Sequence, residues 1–130
     1  MAAGYDTTGT TMAFACYQLS KHPELQERLR AEIEEVTGDS NKPLDYETIQ
    51  KMTYLDQVLM ETLRWYTPVA LIQRNVTKDY KIPGHDLVVP KDTDVWVNVM
   101  GIHFDPKNYP NPHDFNPDNF SKEAKAKRSP

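Results

Sequence analysis

Near the start of the chain, Asp6-Thr7-Thr8-Gly9 is the first stretch whose residue types could do chemistry. Aspartic proteases use Asp-Thr-Gly on a tight turn after an apolar strand. Here a second threonine intervenes and few residues precede Asp6, which disfavours that interpretation. A helix N-cap is simpler, because Asp and Thr side chains cap helices well. Neither reading explains the glycines, each of which costs about 1 kcal/mol relative to alanine inside a helix.

A second candidate is the pair Glu61 and Arg64, in METLRWYTP. Residues three apart share a helix face and can pair. A helical wheel puts both opposite the apolar face of Leu55 and Leu59, which predicts a solvated ion pair of little energetic value. Apolar neighbours on the other side leave open a helix that is buried all round. The same spacing recurs at Glu27 and Arg30.

The sequence gives little support for a disulfide, a metal site, nucleic-acid binding or a membrane helix. Cys16 is the single cysteine, which excludes an intrachain disulfide or a cysteine zinc site, and we expect it to be a small buried hydrophobe. The histidines lack helical metal-ligand spacing; they are His22, His85, His103 and His113. A net charge of −4 gives no reason to expect nucleic acid, and no apolar run reaches the roughly 20 residues of a membrane helix.

Periodicity predicts helices over residues 10–20, 24–37 and 54–66, with a short one near 44–51. Gly38 is expected to end the second helix, and Thr53 with Asp56 resembles a capping box before the long helix. After Pro68, IQRNVTK, YKI, DLVV and DVWVNV alternate as short strands. A proline-rich segment follows from residue 104, and the basic end SKEAKAKRSP is expected to be mobile and solvated. Helices followed by strands suggest an α+β order.

The order of these motifs resembles the cytochrome P450 family of haem-thiolate monooxygenases, in particular its insect-type microsomal branch. The resemblance runs over nearly the whole chain. It rests on AGYDTT, ETLR, Arg74, HFDP and FNPDNF, in that order. It implies a mainly α fold with a small β-sheet region. Residues 1–130 would be a fragment of a single domain, with helices over about 3–66, strands over 70–99 and a meander over 104–130.

The resemblance also assigns roles to residues. Asp6 and Thr7 match the acid–alcohol pair that delivers protons for O–O bond cleavage. Contacts to the haem would come from Ala3, Gly4 and Arg74, the last through a propionate. The substrate cavity would be lined by Val69, Ala70, Leu71 and Ile72. Glu61 and Arg64 match a buried structural pair. The family's usual third partner is an arginine, and its position is occupied here by Asn119. His103 or a water could take the place of that arginine in the network.

The implied cofactor is haem b, whose cysteine ligand would lie beyond Pro130, so the chain itself is expected to hold no metal and to be inactive alone. Implied partners are O2, a small apolar substrate and a flavoprotein NADPH reductase. The implied location is the cytosolic face of the endoplasmic reticulum, through an anchor that this chain lacks. The alternative is a naturally truncated, catalytically dead product that acts by interaction.

Overall fold

The computed structural model describes residues 2–38 and 44–128, with side chains from Gly4 onward. Four helices come first: α1 (Ala2–Lys21), α2 (Pro23–Thr37), α3 (Tyr46–Gln50) and α4 (Thr53–Trp65). Helix α1 runs without a break through the glycine- and threonine-rich stretch, so it begins well before the predicted residue 10.

The position of Asp6 within α1 overturns both interpretations based on residue type. Asp6 lies inside the helix, so it is neither an N-cap nor part of the turn that an aspartic protease requires. Within this stretch the hydroxyl of Thr11 donates to the carbonyl of Thr7, four residues earlier, at 2.8 Å, a bond that tends to bend a helix rather than to stabilise it.

Helices α2 and α4 begin and end by different means. Pro23 occupies the first turn of α2, and Gly38 ends that helix with φ +61°, as its sequence predicts. The predicted capping box at Thr53 is wrong, because Thr53 is already helical and its side chain does not cap. Instead the Glu32 carboxylate of α2 accepts hydrogen bonds from the backbone N–H groups of Tyr54 (2.6 Å) and Leu55 (2.9 Å).

Two small antiparallel sheets follow. Strand β1 (Leu71–Asn75) pairs with β4 (Asp94–Asn98), and β2 (Tyr80–Lys81) pairs with β3 (Val88–Val89). Strands β2, β3 and β4 lie within the predicted strand segments, and β1 begins one residue earlier than predicted. The turn between β2 and β3 uses Gly84 at φ +77°, a conformation that suits glycine.

The rest of the described chain is more helical than its sequence pattern suggests. Helix α5 (Val99–His103) follows β4 directly, and its N-cap is the Asn98 side chain. A 3₁₀ helix (Pro117–Phe120) leads into α6 (Lys122–Lys127). The basic end forms α6, whose first turn is capped by the hydroxyl of Ser121, and most of its side chains are exposed, as expected of a solvated end. The described fold is thus mainly α with small antiparallel sheets, and its helices and strands are segregated along the chain, as the motif order suggests.

The apolar core is small and lies where α2 meets α4, around Leu29, Tyr54 and Val58. Large apolar side chains remain exposed elsewhere, among them Met12 (56%) and Trp96 (57%). Cys16 is also exposed, contrary to expectation. Within the described ranges, no helix is both long and apolar enough to cross a membrane.

Candidate functional site

The Glu61–Arg64 pair lies at the centre of the described structure. The two side chains are 0% and 1% exposed, so the prediction of a solvated pair is wrong. The contact is bidentate: Arg64 Nε donates to Glu61 Oε2 at 2.7 Å, and an Arg64 terminal nitrogen donates to Glu61 Oε1 at 2.8 Å. Two parallel bonds between a guanidinium and a carboxylate are the strong form of this interaction.

Arg64 also donates hydrogen bonds to main-chain oxygens at the end of α5 and in the segment after it. Its guanidinium donates to the carbonyls of His103 (2.9 Å), Pro112 (2.9 Å) and Asp114 (3.2 Å). Together with the two bonds to Glu61, these contacts occupy all five N–H donors that a guanidinium has. The ring of Tyr109 lies 4.8 Å from the guanidinium carbon. The buried cation is therefore fully satisfied.

Glu61 Oε1 makes further contacts with the same segment. It accepts from the backbone N–H of Asn116 at 2.8 Å and from the Asn119 side-chain amide at 3.2 Å. The ring nitrogen Nδ1 of His103 lies 3.1 Å from the Arg64 carbonyl oxygen. The structure thus brings Glu61, Arg64, His103 and Asn119 into one network, in which an amide stands where the resemblance leads one to expect an arginine.

A different surface carries Asp6 and Thr7. Both side chains are exposed, as is Gly4, whereas the side chain of Ala3 lies outside the described residues. A groove of about 470 Å³ separates this part of α1 from α4, and its walls include Thr7, Thr8 and Met12 facing Leu59, Leu63 and Pro68. Thr7 therefore faces a mostly apolar space.

The remaining predicted site residues lie on or beside β1. Arg74 is exposed, and its guanidinium donates to the neighbouring Gln73 carbonyl at 2.8 Å. The four residues assigned to a substrate cavity are Val69, Ala70, Leu71 and Ile72, of which Ile72 is half-buried and the others are exposed. None of the four lines the α1–α4 groove, although their neighbour Pro68 does.

An ion pair joins α2 to the 3₁₀ helix next to the core. The Arg28 guanidinium meets the Asp118 carboxylate through two contacts of 2.9 Å and lies 4.0 Å from the centre of the Tyr54 ring. The hydrogen bond to Asp118 raises the pKa of Arg28 above its ordinary value. Burial raises the pKa of Tyr54 above its ordinary value, with the guanidinium opposing that shift.

Comparison with known proteins decides the family. The family model described as "Cytochrome P450" matches residues 1–130. The chain belongs to the cytochrome P450 family. It is 50% identical over 96% of its length to "Cytochrome P450 6l1" of Blattella germanica and 48% identical over 98% to "Cytochrome P450 6B6" of Helicoverpa armigera. It is 45% identical over 97% to "Cytochrome P450 6a9" of Drosophila melanogaster. The branch is therefore insect-type.

This P450 chain spans about a quarter of the length of those relatives, 25% in each case. The described residues do not by themselves fit a haem, because they offer no cysteine at a suitable place. Cys16 is exposed on α1, ten residues or about 15 Å along the helix from Asp6. Arg74 is an exposed cation, and no described group of three His, Cys, Asp or Glu side chains could hold a metal.

Two features of this P450 chain escape sequence reasoning. Glu32 caps α4 from a different helix, and Gln18, which is 3% exposed, contacts Tyr66 across 48 residues. Glutamine and glutamate in a helix usually face solvent, so neither residue type signals a tertiary contact. The three backbone carbonyls around Arg64 cannot be predicted from residue types, because every residue has a carbonyl.

Proposed function

We propose that this chain is part of a haem-thiolate monooxygenase that inserts one oxygen atom of O2 into a small apolar organic substrate. The observation that carries the proposal is the match of residues 1–130 to the cytochrome P450 family. When bound, haem b with a cysteine thiolate supplies the oxygen activation, since the thiolate favours O–O cleavage. The chain alone supplies no such ligand, so we propose that it is inactive by itself.

Asp6 and Thr7 are proposed as the catalytic residues. Their task is to hold and move protons at the carboxylate oxygens and the hydroxyl, in a site that otherwise excludes water. The groove supports the assignment of Thr7, which lies on its wall opposite the apolar side chains of Leu59 and Leu63. Glycine at position 4 and alanine at position 3 would let a planar cofactor and O2 approach the helix closely.

The residues on and beside β1 are proposed to bind the haem and the substrate and to take no part in the chemistry. Arg74 is proposed to pair with a haem propionate, which would replace its hydrogen bond to the neutral Gln73 carbonyl by one in which both partners are charged. Val69, Ala70, Leu71 and Ile72 are proposed to line the substrate cavity, and their apolar character suits apolar substrates. Exposed apolar side chains at Val69 and Leu71 (52% and 51%) fit a surface that the rest of a longer protein covers.

The network around Glu61 and Arg64 is proposed to hold the scaffold and to take no part in the chemistry. All donors of Arg64 are occupied by fixed acceptors, so no group is left to act on a substrate. For the whole protein we propose a flavoprotein NADPH reductase as electron donor and the cytosolic face of the endoplasmic reticulum as location, by analogy with microsomal members of the family. The alternative is a truncated product without catalysis that acts by interaction.

The test begins with the coding sequence on both sides of these 130 residues and expression of the complete protein. We expect a thiolate-type carbon monoxide difference spectrum and NADPH-dependent oxygenation of apolar compounds. Asp6→Asn and Thr7→Val should each reduce product formation by about a hundredfold and divert electrons to hydrogen peroxide, because proton delivery is impaired. Thr10→Val, an exposed threonine on the same helix, is the matched control.

Two results would contradict the proposal. A complete protein that binds no haem would exclude a monooxygenase. A stop codon after Pro130 in the genuine transcript would favour the interaction product instead. Unchanged coupling in Thr7→Val would remove Thr7 from the relay while leaving the reaction class intact.

A further inference from the structure

Helix α1 holds Tyr66 through two contacts, which we call the Tyr66 clamp. The Gln18 side-chain amide, 3% exposed, donates to the Tyr66 hydroxyl at 2.7 Å. One helical turn earlier, the Phe14 ring lies flat on the Tyr66 ring, with centroids 3.9 Å apart and planes within 2°. A buried amide and a parallel ring stack fix both the depth and the tilt of the tyrosine.

Tyr66 is the residue at which α4 ends and the link to β1 begins. Its N–H donates to the Thr62 carbonyl at 2.8 Å, which completes the last helical turn. The far end of the link is fixed as well, because the Val99 N–H donates to the Ala70 carbonyl at 3.0 Å. Residues 67–70 therefore form a short strap whose first anchor is the clamp.

The strap borders the groove between α1 and α4. Pro68, at its centre, shares the groove lining with Thr7 and Thr8 of α1. Since Gln18 and Phe14 belong to the same helix as Thr7, a change in the clamp alters the separation between the strap and α1. Proline and the single side-chain contact from Thr67 to the Val69 carbonyl (3.3 Å) give the strap little internal hydrogen bonding of its own.

We propose that Gln18 and Tyr66 are positioning residues that fix the 67–70 strap against α1. The position of the strap in turn determines which apolar substrates the groove binds and which of their carbon atoms are oxidised. This inference rests on the proposed function for its substrate part. Its structural part, the anchoring of the strap, stands on the contacts alone. Neither residue touches the reacting atoms.

The first test measures backbone amide exchange in the complete protein. Gln18→Met keeps the length of the side chain and removes the donor, and Tyr66→Phe keeps the ring stack and removes the hydroxyl. Each should speed exchange about tenfold at the amides of Tyr66 and Val99, which bond to the Thr62 and Ala70 carbonyls at the two ends of the strap. The double variant should add little, because both changes break the same bond. Gln26→Met, an exposed glutamine on α2, and Tyr17→Phe, an exposed tyrosine on α1, are the controls.

Exchange that rises equally throughout α1 and α4 would overturn the proposal, since it would show a general loss of packing. So would additive effects of the two variants. The second test, in the complete haem-loaded protein, compares product distributions for an apolar substrate with several oxidisable carbons. We expect Gln18→Met to shift the product ratio several-fold and to raise KM more than it lowers kcat.

The two failures are distinguishable. An unchanged product ratio with an active enzyme would overturn the specificity assignment. A protein without any oxygenation would overturn the proposed function, while the exchange data would still decide whether the clamp anchors the strap.

Discussion

At the scale of single residues, the five occupied donors of Arg64 decide what substitutions there would do. Removing one partner of a buried pair leaves a charge without compensation, which typically costs about 3–5 kcal/mol. A lysine cannot replace the arginine, because an ammonium has three donors and no planar fork.

We therefore predict that Arg64→Lys lowers the free energy of unfolding by about 3 kcal/mol or more. The matched control is Arg30→Lys, because Glu27 and Arg30 have the same i,i+3 spacing but are exposed, with a contact of 3.5 Å. That change should cost less than about 0.5 kcal/mol. Urea denaturation followed by circular dichroism measures both. Similar losses at the two positions would contradict a special role for burial.

The same pair shows what a sequence can and cannot reveal about a site. The i,i+3 spacing identifies Glu61 and Arg64 as partners, but the helical wheel places them in solvent. The acceptors that bury Arg64 are main-chain carbonyls of His103, Pro112 and Asp114, and carbonyls are common to every residue type. Apolar neighbours on the second face of α4 left burial open, and the resemblance to a family implied it.

At the scale of elements, α4 depends on α2 for its beginning. The Glu32 carboxylate accepts two backbone N–H groups and lies 3.3 Å from the Thr53 hydroxyl. A negative group at a helix N-terminus both satisfies free donors and interacts favourably with the helix dipole. The sequence suggests a local cap for this helix, because a cap supplied from 21 or more residues away has no sequence signature.

We predict that Glu32→Gln lowers the free energy of unfolding by about 1–2 kcal/mol, since the amide retains one acceptor but loses the charge. Glu35→Gln, at an exposed position of the same helix, should change it by less than about 0.5 kcal/mol. Thermal or urea unfolding of both variants gives the comparison. An equal effect from the two would mean that Glu32 acts through general charge rather than through the cap.

At the scale of the whole molecule, Tyr54 lies where three parts of the structure meet. It belongs to α4, packs with Leu29 of α2, and lies beneath Arg28, which pairs with Asp118 of the 3₁₀ helix. Burial raises its pKa in the folded state. Its neutral form therefore contributes stability in full below its unfolded pKa, near 10, and this contribution is lost as pH rises through the folded pKa.

We accordingly predict that the protein loses stability as the pH rises above about 10 and that Tyr54→Phe reduces this loss. The hydroxyl of Tyr54 has no hydrogen-bond partner among the described residues, so its removal should cost little at neutral pH. Tyr46→Phe is the control, because that tyrosine is 76% exposed. Unfolding midpoints measured from pH 7 to strongly alkaline conditions would show the difference. Parallel curves for all three proteins would contradict the assignment.

The network around Arg64 also has a consequence for how the protein is made. Its carbonyl acceptors lie 39, 48 and 50 residues further along the chain. A ribosome releases the chain from its N-terminal end, so Glu61 and Arg64 emerge long before the groups that enclose them. Helices α1, α2 and α4 can associate early, whereas the closing step waits for distant residues and is correspondingly slow. During that interval the charged pair remains in water, and the neighbouring Trp65 lacks the rings of Phe104 and Phe115 that later pack against it, so apolar surface stays exposed to aggregation.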